Sequence, residues 1–364
     1  MRILFAAGGT GGHINPAIAI ARKFRENHPD CEILFVGTKR GLEGKLVPRE
    51  GFDIEYIEAA GFKRKLTLEN AVVAYKAFSS MLHTKKILKK FSPDLVIGCG
   101  GYTSGPVVME AALKKIPTLI HEQNAFPGVS NKMLAPKVDV VCISFEDTDK
   151  YFKKTKKIVY TGNPVRSSLF SSSKQAARLK LGVDDRPLIV AVGGSLGATT
   201  INSQMLELIH NLPENVQVLW ATGNREYDEI MSKVGTVPDN VKISAYLYNM
   251  DTVLPAADLA ISRSGAITIT ELCATGTPSI LIPSPNVAEN HQEVNARTLE
   301  TKGAALVICE RELEKGLLVR KVKELIEAPE KLSKMSENAL AMAKSDALDI
   351  IYNEGYNLIA KNKK

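Results

Sequence analysis

Four glycine-rich turns are the places in this sequence where a phosphate could be held: Gly8-Gly9-Thr10-Gly11-Gly12, Gly98-Cys99-Gly100-Gly101-Tyr102-Thr103-Ser104-Gly105, Gly193-Gly194-Ser195-Leu196-Gly197 and Arg263-Ser264-Gly265-Ala266. A helix N-terminus presents N–H groups without acceptors and a partial positive charge, and glycine lets an anion approach it closely. Any single turn could equally serve tight strand-to-helix packing. Four at the ends of apolar runs point to nucleotide chemistry. The dinucleotide fingerprint of a dehydrogenase fails, because the second strand ends in Gly37-Thr38-Lys39 and not in an acid that would hold a ribose. The P-loop pattern fails too, since no Gly-Lys-Ser/Thr follows any of these turns. Asp147-Thr148-Asp149 has the spacing by which many glycosyltransferases of another fold bind a metal and a diphosphate, yet its context, Ser144-Phe145-Glu146-Asp147, reads as a helix start rich in first-turn acids. Helix N-termini and Arg166 are then the groups that would neutralise a leaving diphosphate.

The elements that must position these turns alternate. An apolar run from Arg2 to Ala7 leads into the first turn, and Ile14 to Phe24 follows with apolar residues at helical spacing, Pro16 suiting a first helical turn. Strands are expected at Glu32 to Val36, Asp94 to Cys99, Thr118 to His121 and Val138 to Ser144. After Gly162-Asn163-Pro164 and a serine-rich stretch the pattern restarts at Leu188 to Val192. Strands then fall at Val216 to Trp220, Val241 to Leu247, Leu259 to Ser262, Ser279 to Ile282 and Ala305 to Cys309. This is an α/β chain with parallel sheets covered by helices. It divides into Rossmann-like domains at 1–163 and 164–344, and a last helix, 345–364, is expected to pack back on the first. The active site is expected where the two domains meet.

With 364 residues, 45% apolar and 24% charged, the composition is that of an ordinary globular chain. Five cysteines lie far apart without metal-ligand spacing and read as buried thiols of a reducing compartment. No apolar run reaches the roughly 20 residues of a membrane-spanning helix. The net charge of +7 is uneven: residues 1–163 hold 25 Lys+Arg against 16 Asp+Glu, and residues 164–364 hold 22 against 24. A basic first half suits a polyanionic neighbour, either nucleic acid or an anionic membrane. Nucleic acid is disfavoured, for want of an aromatic stacking pattern or a recognised motif.

Taken in order, Gly8-Gly9-Thr10-Gly11-Gly12-His13, Gly100-Gly101-Tyr102-Thr103-Ser104-Gly105-Pro106, His121-Glu122-Gln123-Asn124, Gly162-Asn163-Pro164-Val165-Arg166 and Ser262-Arg263-Ser264-Gly265-Ala266 closely resemble the MurG family. The resemblance runs from Met1 to about Ser345. It implies a GT-B fold and inverting transfer of N-acetylglucosamine from UDP-GlcNAc to the C4 hydroxyl of undecaprenyl-diphosphate-MurNAc-pentapeptide (lipid I), a step of peptidoglycan synthesis. It also implies no cofactor and no bound metal, with the acceptor on the N-terminal domain, the donor mostly on the C-terminal one, and a peripheral place on the cytoplasmic face of the cell membrane. Donor contacts carried over from the family fall on Thr10, Gly11 and Gly12, on Asn124, on Arg166 and on Ser195. They continue with Leu247 beside the uracil, with Ala266, Ile267, Thr268, Ile269, Thr270 and Glu271, and with Gln292. Glu271 suits both ribose hydroxyls, and Gln292 offers a donor and an acceptor to the sugar. Gly101, Tyr102 and Thr103 are the acceptor-side candidates. Two positions depart from the family: Leu196 stands where glutamine is common, and His291 where some members have the first of two glutamines.

His13 and Glu122 are the two candidates for the general base. Between Phe62 and Phe91, Lys63-Arg64-Lys65, an apolar helical stretch (Val72, Val73, Tyr75, Phe78, Met81, Leu82) and Lys85, Lys86, Lys89 and Lys90 fit a helix lying on an anionic bilayer. The rival functions are a UDP-N-acetylglucosamine 2-epimerase, which shares fold and donor, and a non-catalytic nucleotide-sugar sensor at the membrane.

Overall fold

The computed structural model describes residues 1–58, 68–194 and 197–362, the side chains of 68–78 excepted. Two compact units divide the chain: Met1–Val165 together with Asp346–Lys364, and Arg166–Ser345.

The first unit is built on β1 (Arg2–Ala6), β2 (Glu32–Gly37), β3 (Asp53–Tyr56), β4 (Leu95–Gly98), β5 (Thr118–Glu122), β6 (Val140–Ile143) and β7 (Ile158–Tyr160). They lie in the order β3-β2-β1-β4-β5-β6-β7, all parallel. The central strands are apolar on both faces because helices cover both faces. The edge strands β3 and β7 are only half-buried, which is why neither reads as an apolar run. The spatial order reverses between β1 and β4, so the crevice beyond their carboxyl ends falls at the turns following Ala6 and Gly98.

The second unit repeats the scheme with β8 (Leu188–Val192), β9 (Gln217–Ala221), β10 (Val241–Ser244), β11 (Leu259–Ser262), β12 (Ser279–Leu281) and β13 (Ala305–Val307), ordered β10-β9-β8-β11-β12-β13. Here the reversal lies between β8 and β11, at the turns beginning with Gly193 and Arg263. β10 ends at Ser244 and not at Leu247, which leaves Leu247 outside the ladder. Trp220 is fully buried at the heart of this unit, its indole N–H donating to Asn202 Oδ1 at 3.0 Å. A buried indole needs such a partner.

The last helix, Ala347–Asn362, packs on the first unit. Ile351 and Ile359 join the core formed by Phe5, Phe24 and Leu95, and His28 Nε2 meets the Tyr352 hydroxyl at 2.8 Å. All five cysteines are buried, and burial pushes the thiols of Cys99, Cys142 and Cys273 upward. Buried, protonated thiols are inert. Among the described residues no helix is long and apolar enough to cross a membrane.

Candidate active site

In the first unit, helix Gly11–Asn27 starts directly after the first glycine turn, and no side chain caps it at Thr10. Its first N–H groups therefore have no helical acceptor. Pro16 lies inside the helix and not in its first turn. Lacking an N–H, it also leaves the Gly12 carbonyl without its usual helical donor. Thr10 and Gly12 are exposed and Gly11 is half-buried, an open end that suits a polar ligand.

The second turn of this unit supports the first. At Gly101, φ is +80°, and a Cβ would overlap the Gly8 carbonyl oxygen, so only glycine lets the two turns close on each other. Thr103 is 1% exposed and lies beneath Gly8, whose own added Cβ would meet Thr103 Oγ1 at 3.1 Å. Of the three acceptor-side candidates, Gly101 and Thr103 are thus packing residues. Tyr102, 57% exposed, is the one whose side chain reaches solvent. An acid absent from the end of β2 turns up underneath: Glu43 is completely buried, accepting from Gly9 N–H at 3.0 Å and from both the N–H and hydroxyl of Thr38 at 2.8 Å. Its oxygens shape the turn and are not offered to a ribose. Nothing in the local sequence Gly41-Leu42-Glu43-Gly44 marks it, because the donor that ties it to the first glycine turn, Gly9 N–H, lies 34 residues earlier.

The two base candidates separate clearly. Glu122 is 1% exposed. Its Oε1 accepts from Asn124 N–H at 2.9 Å and from Asn124 Nδ2 at 3.1 Å, and its Oε2 from Gly128 N–H at 3.0 Å and Asn131 Nδ2 at 2.8 Å. A carboxylate holding four donors is a scaffold for the 124–131 loop, not a base, and the candidacy of Glu122 is corrected on that ground. Half-buried His13 has its ring against Gly100, where a Cβ would stand 2.8 Å from Nδ1. Among the described residues only Nδ1 of this ring is engaged, by Gln123 Oε1 at 3.1 Å. Asp147 and Asp149 are exposed in the first turn of a short 3₁₀ helix, Glu146–Tyr151.

In the second unit a cavity of about 130 Å³ opens at the reversal point, lined among others by Val192, Gly194, Tyr246, Leu247, Thr268 and Glu271. Helix Ala266–Thr275 begins here after Gly265, again without a side-chain cap. Its phase decides which carried-over residues face the cavity. Thr268 and Glu271, three apart, do so. Ile269 is fully buried, and the Thr270 hydroxyl donates back to the Ala266 carbonyl at 2.8 Å. Burial pushes the Glu271 carboxyl up to about 7, opposed by the Arg166 guanidinium and reinforced by Asp251. Gln292 is partly spent: its Oε1 accepts from Ser284 N–H at 2.9 Å, leaving the amide NH₂ to donate. Ser264 ties this segment to the helix start, its hydroxyl donating to the Gln292 carbonyl at 2.8 Å. His291 begins the next helix with Nδ1 at 2.7 Å from the Ala288 carbonyl, after two residues, Glu289 and Asn290, held at positive φ. Ser195 and Leu196 lie outside the described residues. Tyr246 and Met250, which also line the cavity, had no motif to reveal them.

Two family models match, the glycosyltransferase family 28 N-terminal domain over residues 3–143 and its C-terminal domain over residues 188–351. The chain belongs to glycosyltransferase family 28. One relative of this family 28 chain, from Caldanaerobacter subterraneus subsp. tengcongensis, is 53% identical over 357 residues, covering 97% of this chain and 98% of the relative. It is described as the UDP-N-acetylglucosamine–N-acetylmuramyl-(pentapeptide) pyrophosphoryl-undecaprenol N-acetylglucosamine transferase. The crystal structure of MurG from Acinetobacter baumannii superposes with a TM-score of 0.82 at 28% identity, covering 98% of this chain and 99% of that one. A putative UDP-N-acetylglucosamine 2-epimerase from Listeria monocytogenes gives a TM-score of 0.66 at 12% identity, over 96% of this chain and 94% of that one. At that identity the likeness is one of fold alone. The family 28 enzyme is thus a GT-B glycosyltransferase with two Rossmann-like parallel sheets.

Proposed function

We propose that this enzyme transfers N-acetylglucosamine, with inversion, from UDP-GlcNAc to the C4 hydroxyl of an undecaprenyl-diphosphate-linked MurNAc-pentapeptide, giving lipid II for peptidoglycan synthesis. Full-length likeness to a transferase of that description, at 53% identity, is the observation that carries this reading. In it the acceptor oxygen attacks the anomeric carbon, His13 takes the proton, and uncapped helix N-termini with Arg166 stabilise the departing UDP. The first unit receives the acceptor. The second receives the donor, with Leu247 beside the uracil, Thr268 and Glu271 toward the ribose, and the Gln292 amide toward the sugar. UDP release that requires a short-chain lipid-linked muramoyl acceptor is the expected result. Conversion of free UDP-GlcNAc to its manno epimer, or tight UDP binding without turnover, would overturn the proposal.

Ribose binding by Glu271 has a pH signature. Its carboxyl titrates near 7 in the free protein, whereas two hydroxyl donors require the ionised form. Affinity should be full above pH 7 and fall as pH drops through it, roughly tenfold between pH 8 and pH 6. Uridine has no group of its own titrating in that range and is the probe of choice. Glu271→Gln should bind uridine weakly and independently of pH; wild-type affinity that is flat across this range would exclude the contact.

The membrane contact belongs to the first unit. Helix Leu68–Phe91 carries exposed Lys85, Lys86, Lys89 and Lys90 with Leu82 51% exposed, and neighbouring helices carry exposed Leu113 and Met133 beside Lys114 and Lys137. Lysines around exposed apolar side chains suit an anionic bilayer surface, in this reading its cytoplasmic face. Lys63, Arg64 and Lys65, and the side chains of Val72, Val73, Tyr75 and Phe78, lie outside the described residues. Charge reversal of the four lysines at 85, 86, 89 and 90 to glutamate should weaken binding to phosphatidylglycerol vesicles by more than about tenfold. Unchanged co-sedimentation would rule this surface out.

A further inference from the structure

A row of buried groups runs from a backbone carbonyl to the His13 ring, and the donor or acceptor character of each fixes the next. It starts at Gly162, whose carbonyl can only accept. His121, with no exposed surface, places Nε2 3.1 Å from that oxygen, so Nε2 carries the proton. Burial holds this imidazole neutral, with its pKa down to about 4. A neutral ring protonated on Nε2 has a bare Nδ1.

That bare nitrogen lies 3.0 Å from the side-chain amide of Gln123 and must receive an N–H. The same amide nitrogen also donates to the His121 carbonyl at 3.2 Å. Two acceptors therefore dictate which end of the amide is NH₂, and Oε1 is turned toward His13. The Gln123 backbone is itself pinned, its carbonyl accepting from Asn163 Nδ2 at 3.0 Å. Asn163 Oδ1 lies 2.9 Å from Ser144 Oγ, a hydroxyl that also donates to the Glu122 carbonyl at 2.7 Å and stands 3.3 Å from His121 Nε2. Oε1 of Gln123 stands 3.1 Å from His13 Nδ1, and an amide oxygen has no proton to give. His13 must supply it.

We infer that Gln123 and His121 are positioning residues that hold His13 in its Nδ1–H tautomer, leaving Nε2 as the nitrogen that accepts the proton of the acceptor hydroxyl. The inference rests on the proposed base role of His13 and adds which nitrogen acts and what selects it. When Nε2 takes the proton, the Nδ1–H bond to Gln123 is kept, so the ring does not have to turn during the reaction. Gly100 packs directly against the ring, since no side chain fits between them. An amide oxygen orients the ring without adding a charge, where a carboxylate would favour the imidazolium.

The experiment is ¹⁵N NMR of histidine-labelled full-length protein at neutral pH, with the six histidines assigned by single substitution. The expected result is His13 protonated on Nδ1 and bare on Nε2, and His121 in the opposite tautomer. Gln123→Met, which keeps the shape and loses both hydrogen-bonding ends, should give His13 as a tautomer mixture. It should also lower kcat roughly 10- to 100-fold, with KM for UDP-GlcNAc within about twofold. A wild-type His13 protonated on Nε2 would overturn the inference, and so would an unchanged tautomer in Gln123→Met. The wild-type spectrum does not depend on any variant folding. It is also separable from the base role: normal turnover by His13→Ala would remove His13 from the chemistry whatever tautomer is found.

Discussion

His13→Ala is expected to lower kcat by roughly 10²-fold or more, about 2.7 kcal/mol of transition-state stabilisation, with little change in KM for the donor. The argument is geometric. His13 is half-buried at the start of an uncapped helix, directly beyond β1, and the hydrogen bond to Gln123 engages only one of its ring nitrogens. Removing the imidazole leaves the backbone N–H groups of the turn in place, so nucleotide binding should persist while proton transfer is lost. Single-turnover rates with UDP-GlcNAc and a short-chain lipid acceptor, beside a thermal melt to show intact folding, check this. A near-normal rate would mean that another group or solvent takes the proton.

Glu122→Gln is expected to act differently, on stability first. The carboxylate accepts four hydrogen bonds between 2.8 and 3.1 Å, two on each oxygen. Glutamine can satisfy only one pair, and its NH₂ would face the N–H donors of the other. Leaving two buried donors unpaired beside a third amide should cost about 3 kcal/mol, a drop in Tm of roughly 6–12 °C for a unit of this size. Activity measured well below the new Tm should fall much less than in His13→Ala. If Glu122 were the base, the pattern would be reversed, with Tm nearly unchanged and kcat strongly reduced.

Much of the scaffold that carries the candidate site was legible in the sequence. Alternating apolar runs and glycine turns located the central strands and the turns that follow them, because a parallel sheet buried on two faces writes its strands as continuous apolar segments; which of those turns sit at the reversal points came from the strand order. The edge strands β3 and β7 escaped, since half-exposed backbone needs no such signature. Pro16 was assigned to the first turn because its tolerance there is general, whereas the helix in fact starts earlier, at Gly11.

What the sequence alone determined is the set of motifs, their order, and hence the family and the two-sheet architecture. These are local or additive properties, carried by spacing along the chain. Only the tertiary structure decided what each polar residue in those motifs does. The segment 266–271 is one string in sequence, but the phase of its helix against β11 sends Thr268 and Glu271 to the cavity and Ile269 to the core. Glu43, Glu122 and Gln123 are equally polar on paper. The roles of Glu43 and Gln123 follow from partners tens of residues away, Gly9 and His13, and that of Glu122 from the way the 124–131 loop folds back on it. A buried hydrogen-bond partner is chosen by position in space and the need to leave no polar group unpaired, and chain spacing carries no record of that choice.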